Sequence, residues 1–134
     1  EKSSLPSNLS IYLGDTTGEL WLLYAASDIA FVGGSLVKVG GHNLVEPAQL
    51  GVPILSGPHL ENFLAIRDSL LRAQALVIVD SSAHLAQQIL DWIRHPSTRQ
   101  GYGEQARKVA QIQSGALNQL MALLNRHRPK DDKS

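Results

Sequence analysis

The chain has 134 residues, of which 43% are hydrophobic and 18% are charged, a composition typical of a single globular domain. Twelve basic residues balance twelve acidic ones, so there is no broad electrostatic field to attract nucleic acid or an anionic membrane. The absence of cysteine excludes disulfide frameworks and thiolate metal sites, and no apolar run approaches the roughly 20 residues that span a bilayer.

Composition divides the chain into three segments. Residues 1–10 are loop-like and begin with Glu rather than Met. We interpret them as the entry to an excised piece of a longer protein, or as residues added for expression. Residues 11–126 carry the regular hydrophobic patterns of one domain. Residues 127–134 are dense in charge and are predicted to be a disordered tail.

Short β-prone runs alternate with longer helical patterns along residues 11–126. Strands are predicted at 11–13, 29–33, 52–55 and 75–80. Helices are predicted at 18–27, 44–50, 62–74, 83–95 and 103–126. Ser81 or Ser82 can cap the fourth helix, and Pro96 is predicted to end it. Strict alternation of strands and helices predicts an α/β fold, a Rossmann-like parallel sheet with helices on both faces.

Ligands of open parallel sheets bind outside the carboxyl ends of the strands. The loops predicted at that edge are GDTTG (14–18), GSLVKVGGHN (34–43), SGPHLEN (56–62) and DSS (80–82). These loops hold the glycine pairs and the short polar side chains. The sequence therefore predicts a binding site at this edge.

The second of these loops has the most unusual composition. Gly40 and Gly41 allow the backbone to approach a ligand closely, because no Cβ is in the way. Asn43 can cap the next helix, whose N-terminus favours an anion such as phosphate. Two registers are open for Glu46: either it lies at the helix start with Pro47 as the first helical residue, or Asn43 is the cap and Glu46 its capping-box partner. A turn with a capping box, without any ligand, explains the same spacing.

The other loops offer further candidate residues, each with a structural alternative. Thr16 and Glu19 have capping-box spacing, and Gly18 permits close approach, but a well-capped helix explains the same pattern. His59 and Asn62 lie in the third loop, where a single histidine is commonly structural or solvated. The remaining histidines, at helical or terminal positions, are interpreted as structural: His84, His95 and His127.

Several kinds of site are not indicated. Histidine and acidic residues never cluster at metal-ligand spacing, so we predict no metal and no cofactor. The chain has no G-x-S-x-G, no Walker loop and no G-x-G-x-x-G.

Taken in order, the motifs GDT-x-GEL, FVGGSLV, GGHN-x-x-EP and GPH-x-x-NF are specific. Residues 13–63, which contain them, closely resemble the 3-deoxy-D-manno-octulosonic acid (Kdo) transferases that act on lipid A precursors in Gram-negative lipopolysaccharide biosynthesis. The resemblance continues more weakly through the last strand and helix. It implies a GT-B glycosyltransferase with two Rossmann-like domains, of which this chain is part of the C-terminal, donor-binding domain.

The resemblance also implies partners and a location. The donor is CMP-Kdo and the acceptor a lipid A precursor, bound at the cytoplasmic face of the inner membrane through regions outside this chain. No catalytic carboxylate is implied within these residues. The polypeptide alone is therefore expected to be soluble, to bind CMP weakly or not at all, and to transfer no sugar.

The resemblance assigns donor contacts residue by residue. Glu46 is implied to bind ribose or sugar hydroxyls, and His42 is a candidate for contact with charge that develops in the transition state. The contacts to the CMP phosphate or the Kdo carboxylate are implied for Ser35, Gly41, His42 and Asn43. The cleft is implied to be lined by Thr16, Gly18 and Glu19, with His59 and Asn62 on its far rim.

Two other functions are considered. The first is another GT-B enzyme, such as a UDP-sugar transferase or epimerase. The second is a non-catalytic α/β module of the flavodoxin or receiver type that binds a nucleotide or a protein. A receiver would need clustered acids at one strand end and a lysine after the last strand, and neither is present.

Two structural expectations follow from the implied partial domain. In a Rossmann strand order, the usual neighbours of the strand at 11–13 would be missing, so this strand should be displaced or paired with another chain. The apolar stripe of the final helix, from Val109 to Leu124, should lack a full partner and drive self-association or fraying.

Overall fold

A computed structural model describes residue 11, residue 13 and the ranges 20–33, 43–60 and 63–127. Within these residues the strands are β1 (Ala30–Val32), β2 (Ile54–Ser56) and β3 (Leu76–Ile78). The helices are α1 (Leu20–Ala25), α2 (Val45–Gln49), α3 (Leu64–Arg72), α4 (Ser82–Arg94) and α5 (Pro96–Arg126).

The strands form one parallel sheet in the order β1-β2-β3. Phe31, Leu55 and Val77 occupy equivalent positions in the three strands, which fixes the register. The predicted strands at 29–33, 52–55 and 75–80 are thus confirmed with shorter paired segments, except that β2 extends to Ser56, which was predicted to begin the loop. The predicted strand at 11–13 is wrong for the residues that the structure describes, because Ile11 and Leu13 belong to no strand and are exposed.

Side chains alternate between the two faces of the sheet, and helices cover both. One face packs against α2, α3 and the middle of α5, and its buried residues include Val32, Ile54, Leu76, Leu70 and Ala106. The other face packs against α4 and the start of α5, and its buried residues are Leu55, Val79 and Trp92. The predicted α/β fold with helices on both faces is therefore confirmed.

The boundary between α4 and α5 differs from the prediction. The Ser81 side chain accepts a hydrogen bond from the His84 N–H at 3.1 Å, which confirms the predicted cap of α4. Pro96 does end α4, but it also begins α5, so the final helix starts there rather than at residue 103. Proline is favoured at the first helical position because its fixed φ suits the helix and its missing N–H is not needed there.

The long helix α5 contacts both layers by passing the amino end of the sheet. Tyr102, near its start, packs on Trp92 with ring centroids 5.2 Å apart. Gly103 lies against Gly51 and Pro53, just before β2 begins. Val109 is then buried in the core of the opposite face. Beyond Ala110, α5 is exposed except for a half-buried Gln113, and no described helix is both long enough and apolar enough to cross a membrane.

The helices α2 and α3 end in the same way. After α2, the Gly51 N–H donates to the Ala48 carbonyl and the Val52 N–H to the Pro47 carbonyl, with Gly51 at φ 70°. After α3, the equivalent bonds run from Gln74 to Leu71 and from Ala75 to Leu70, with Gln74 at φ 55°. Both are Schellman motifs, in which one residue adopts the left-handed conformation that favours glycine.

Candidate functional site

Three of the predicted site residues lie within the described part of the chain: Asn43, Glu46 and His59. The other predicted site residues lie outside the described residues: Thr16, Gly18, Glu19, Ser35, Gly41, His42 and Asn62.

The three strands end at one common edge. Because the strands are parallel and Val32, Ser56 and Ile78 are in register, the segments that follow them leave from the same side of the sheet. The Val79 N–H continues this edge by donating to the Ser56 carbonyl at 2.8 Å. β2 is central, so the loop after it, which carries His59, leaves the sheet between the segments that follow β1 and β3.

Asn43 holds the beginning of α2. Its Oδ1 accepts a hydrogen bond from the Val45 N–H at 2.8 Å, while Leu44 between them already has a helical backbone. The amide oxygen is committed to the helix, so the amide NH₂ is the part of Asn43 that can donate to a ligand. Asn43 thus satisfies an N–H at the start of α2 as predicted, although Leu44, not Asn43, is the residue that directly precedes the helix.

The placement of Pro47 as the first helical residue is wrong. Pro47 is the third residue of α2, and Glu46 is helical although a proline follows it. The preference of the residue before proline for extended backbone is overridden here, because the Asn43 bond starts the helix upstream and proline is tolerated in the first turn. Glu46 nevertheless lies in the first turn, near the preceding loop, as both registers predicted.

The helix that packs on α2 carries a tyrosine that the sequence did not identify as a site residue. Tyr24 in α1 and Glu46 in α2 are both half-buried, and the two helices are in contact. Burial raises the pKa of the Tyr24 phenol, and the negative charge of Glu46 raises it further. The phenol therefore stays protonated at neutral pH and keeps an O–H to donate. No sequence pattern links the two residues, because they belong to helices on either side of β1.

His59 lies in the short loop after β2. It is half-buried, between exposed Pro58 and fully buried Leu60. The Leu60 N–H donates to the Pro58 carbonyl at 3.1 Å, which makes the turn tight around the histidine. The buried leucine anchors this loop, so His59 is held at the carboxyl edge of the sheet.

A second histidine lies after β3 at the same edge. The His84 Nδ1 is 3.1 Å from an Asp80 carboxylate oxygen, and both side chains are partly exposed. A carboxylate bonded to one ring nitrogen orients the ring and leaves Nε2 available. We interpreted His84 as structural from its helical position. The i, i+4 spacing of Asp80 and His84 was the signal that could have indicated this pair.

The described surface has several open depressions elsewhere. One of about 470 Å³ is lined by Arg72, Gln74 and Tyr102 among others, and one of about 340 Å³ by Asp28, Pro53 and Arg99 among others. Neither contains a predicted site residue. In the described ranges, no group of three or more histidine or acidic side chains converges as a metal site would require.

A protein-family model, described as glycosyl transferases group 1, matches residues 1–109. The chain is 40% identical over 124 residues to a 3-deoxy-D-manno-octulosonic acid transferase of Haemophilus influenzae, a match that covers 91% of the chain and 29% of that protein. The transferase of the same description from Bordetella pertussis is 38% identical over 122 residues, covering 87% of the chain and 27% of that protein. The chain thus spans less than a third of the length of these curated relatives.

The comparison with solved structures found similarity in both sequence and fold. One match is the crystal structure of the C-terminal CMP-Kdo binding domain of WaaA from Acinetobacter baumannii, with a TM-score of 0.70 and 40% identity. The match covers 75% of this chain and 52% of that one. The resemblance found in the sequence motifs is therefore confirmed, and the fold is that of the C-terminal domain of a GT-B glycosyltransferase.

Proposed function

Because the chain belongs to the glycosyl transferase group 1 family, we propose that it is the donor-binding part of an enzyme that transfers Kdo from CMP-Kdo to a lipid A precursor in lipopolysaccharide biosynthesis. The observation that carries this proposal is the combined sequence and structural similarity to a CMP-Kdo binding domain, at 40% identity and a TM-score of 0.70. The family match also disfavours a receiver or flavodoxin type of module.

The geometry of the carboxyl edge supports a nucleotide-sugar site. The Glu46 carboxylate, in the first turn of α2, can accept hydrogen bonds from ribose or sugar hydroxyls. The Asn43 amide NH₂ can donate to an anionic group, because its oxygen is already bonded to Val45. His59, from the central strand, lies at the same edge on the proposed far rim of the donor.

The remaining proposed contacts come from the two glycine-containing loops. The proposal assigns the phosphate or the Kdo carboxylate to Ser35, Gly41 and His42, of which His42 would meet charge that develops as the glycosidic bond breaks. The neighbouring cleft wall is assigned to Thr16, Gly18 and Glu19, and the far rim to His59 together with Asn62.

The residues assigned in this polypeptide do not complete the transfer reaction. Activation of the acceptor hydroxyl requires a proton-accepting group within about 3 Å of it, and none is assigned here. We therefore propose that the polypeptide alone binds CMP weakly and transfers no sugar. Acceptor binding and contact with the cytoplasmic face of the inner membrane are assigned to the remaining length of the complete enzyme.

Nucleotide titrations test the proposed donor. CMP, UMP and UDP are titrated separately into the isotope-labelled chain, and amide shifts are followed up to millimolar nucleotide. The proposal expects CMP to bind more tightly than UMP or UDP, with shifts at Asn43, Glu46 and His59. Tighter binding of UDP would instead favour a UDP-sugar transferase or epimerase.

A transfer assay tests whether the polypeptide alone can catalyse the reaction. Kdo transfer from CMP-Kdo to a lipid A precursor is measured for this polypeptide and for a complete Kdo transferase under the same conditions. We expect turnover only with the complete enzyme. Turnover by the polypeptide alone would show that its own residues supply the acceptor-activating group, contrary to the proposal.

A further inference from the structure

The second half of α5 presents an apolar side to solvent. Four of its residues have the i, i+3, i+4, i+7 spacing that places side chains on one side of a helix. Each of the four is at least 50% exposed: Leu117, Leu120, Met121 and Leu124. A contiguous exposed apolar surface of this kind is typical of an interaction site.

This surface continues onto the start of α3. A depression of about 520 Å³ opens between the two helices, and its apolar lining includes Phe63, Leu64, Ile66, Leu117 and Leu120. Leu64 is itself 47% exposed. We call Leu64 and the four residues of α5 the α5 patch. Because α3 follows the loop after β2 that carries His59, the α5 patch lies toward the carboxyl edge of the sheet, at the same end as the proposed donor site.

The second half of α5 is free of negative charge. Between Glu104 and Asp131 the sequence has no acidic residue, although the whole chain has twelve. Three basic residues lie at the end of the helix or just after it in the sequence: Arg126, Arg128 and Lys130. The apolar residues are therefore followed by a local positive charge, in a chain whose net charge is zero.

Arg126 can bind an anionic partner. It lines a small depression together with Ala122 and Leu123, so this basic residue lies beside apolar ones. Among the described residues, no carboxylate is within ion-pair distance of Arg126. Apolar side chains next to unpaired basic ones suit the surface of an anionic bilayer, where the former enter the boundary of the acyl chains and the latter contact the headgroups.

A second copy of the chain suits the α5 patch less well. Two copies that pair through the second half of α5 would bury the leucines of both. The segment that each copy presents, residues 105–130, contains no carboxylate, so the basic residues at the end of α5 would meet only neutral or basic side chains. An anionic lipid surface satisfies both the apolar and the basic part.

We infer that the α5 patch and Arg126 form an interfacial membrane contact, which lies on a bilayer with anionic headgroups and holds the donor edge of the sheet close to it. The inference rests on the proposed function, in which the acceptor is a lipid A precursor at the inner membrane. It adds one contact to those assigned to the remaining length of the complete enzyme.

Co-sedimentation with lipid vesicles tests this contact. The wild-type chain is mixed with vesicles of phosphatidylcholine and phosphatidylglycerol in equal amounts, or of phosphatidylcholine alone. We expect binding to the anionic vesicles that falls as salt is added, because the headgroup contacts are screened. The double variant Leu120→Gln/Leu124→Gln should bind at least about tenfold more weakly, because two apolar side chains no longer enter the bilayer.

Two single variants separate the parts of the contact. Arg126→Gln should weaken binding to anionic vesicles about three- to fivefold, the effect of one basic residue near such a surface. Leu90→Gln is the matched control, because Leu90 in α4 is also 50% exposed but lies outside the α5 patch. It should leave vesicle binding unchanged. Circular dichroism of each variant establishes that its helices are retained.

Hydrogen exchange locates the contact in the wild-type chain without any substitution. Anionic vesicles should slow exchange of the amides from Leu117 to Leu124 and leave those around Trp92 unchanged. Vesicle binding without this protection would overturn the inference, because another surface would then carry the contact.

The inference and the proposed function can fail separately. No binding of the wild-type chain to anionic vesicles contradicts the inference, and so does equal binding of the Leu120→Gln/Leu124→Gln variant. A dimer that this double variant abolishes, in a chain that ignores vesicles, would assign the α5 patch to a second copy instead. The donor site is tested by the CMP titration, which needs no lipid and which the double variant should not change.

Discussion

Gly103 in α5 lies directly against the backbone of Gly51, the residue that ends α2. A Cβ built on Gly103 would overlap the Gly51 carbonyl oxygen and would lie 3.2 Å from the Pro53 Cδ. This close approach is what allows α5 to pass the amino end of β2 and reach both faces of the sheet. It requires a residue without a side chain at position 103.

Replacement of Gly103 by alanine should destabilise the fold. The added methyl group meets backbone atoms that cannot rotate away, and overpacking of this kind costs about 1–3 kcal/mol. Alanine also gains about 1 kcal/mol in helix propensity over glycine, which is less than most of this cost. The free energy of unfolding of Gly103→Ala, from urea denaturation followed by circular dichroism, should therefore be lower than that of wild type.

Gly101→Ala is the matched control in the same helix. A Cβ at Gly101 has open space around it, so only the gain in helix propensity remains, and stability should rise by about 0.5–1 kcal/mol. If both variants were stabilised equally, α5 would not pack against Gly51 as described.

The two Schellman motifs predict that Gln74→Gly stabilises the protein and that Gly51→Ala destabilises it. Gln74 adopts φ 55° without being glycine, and the left-handed conformation costs an ordinary residue roughly 1–2 kcal/mol. Gln74→Gly should therefore stabilise the protein by about 1 kcal/mol after the entropy of the unfolded glycine is subtracted. Gly51→Ala, at φ 70°, should destabilise it by a similar amount. Thermal unfolding of both variants measures these changes in stability. Stabilisation by Gly51→Ala would contradict the Schellman motif after α2.

Hydrogen exchange should divide α5 into two parts. Amides around Ala106 and Val109 lie in the core and should be strongly protected. From Leu117 onward, Leu120, Met121 and Leu124 are half exposed or more, so these amides should open with free energies close to zero. Exchange measured residue by residue at low protein concentration tests the difference.

The apolar stripe of α5, from Val109 to Leu124, is predicted to drive self-association or fraying. Sedimentation velocity over a range of concentrations, combined with the exchange data, separates these two outcomes. Strong protection of the second half of α5 in a strictly monomeric sample would contradict both.

The raised pKa of Tyr24 predicts a loss of stability at alkaline pH. The pKa of Tyr24 is raised in the folded state, first by burial and then by Glu46. The folded state therefore binds the phenolic proton more tightly than the unfolded state. The resulting stabilisation is fully present below the pKa of an unfolded tyrosine, about 10, and is lost as the pH rises through the higher folded value. Unfolding free energies measured from pH 8 upward should show a smaller alkaline loss for Tyr24→Phe than for wild type, and an equal loss would contradict the shift.

In a complete transferase, substitutions at the proposed donor contacts should separate binding from chemistry. Glu46→Gln should weaken donor binding by about 1–3 kcal/mol, because hydroxyls of the donor would lose their anionic acceptor. His42→Ala should mainly lower kcat, if the imidazole meets charge in the transition state as proposed. Steady-state kinetics with CMP-Kdo measures both, and an unchanged KM with Glu46→Gln would remove Glu46 from the donor site.

The central sheet was predictable because each strand is a short apolar run, such as IAFV and ALVIV, that only a two-sided parallel sheet buries fully. The start of α5 was not predictable from the sequence. Pro96 both ends one helix and begins another, and Gly101 and Gly103 weaken a helix locally. Only the packing of Gly103 on Gly51, which depends on residues far apart in sequence, explains a glycine there.

The candidate site was partly predictable for a similar reason. The bond between the Asn43 side chain and the start of α2 spans only two residues, so local spacing indicated it. The position of Pro47 in α2 depends on how the segment enters the helix, and the placement of Tyr24 next to α2 depends on how α1 packs. Periodicity carries no information about either.

The passage of α5 around the amino end of the sheet has a consequence for biosynthesis. A nascent chain emerges from the ribosome in sequence order, and α5 follows all three strands. Ala106 and Val109, which close one apolar layer, and Tyr102, which packs on the other, are therefore translated only after the whole sheet. Until that point β1, β2 and β3 have no complete cover on either side. Completion of both layers is thus a late event in synthesis, because both layers include residues of α5.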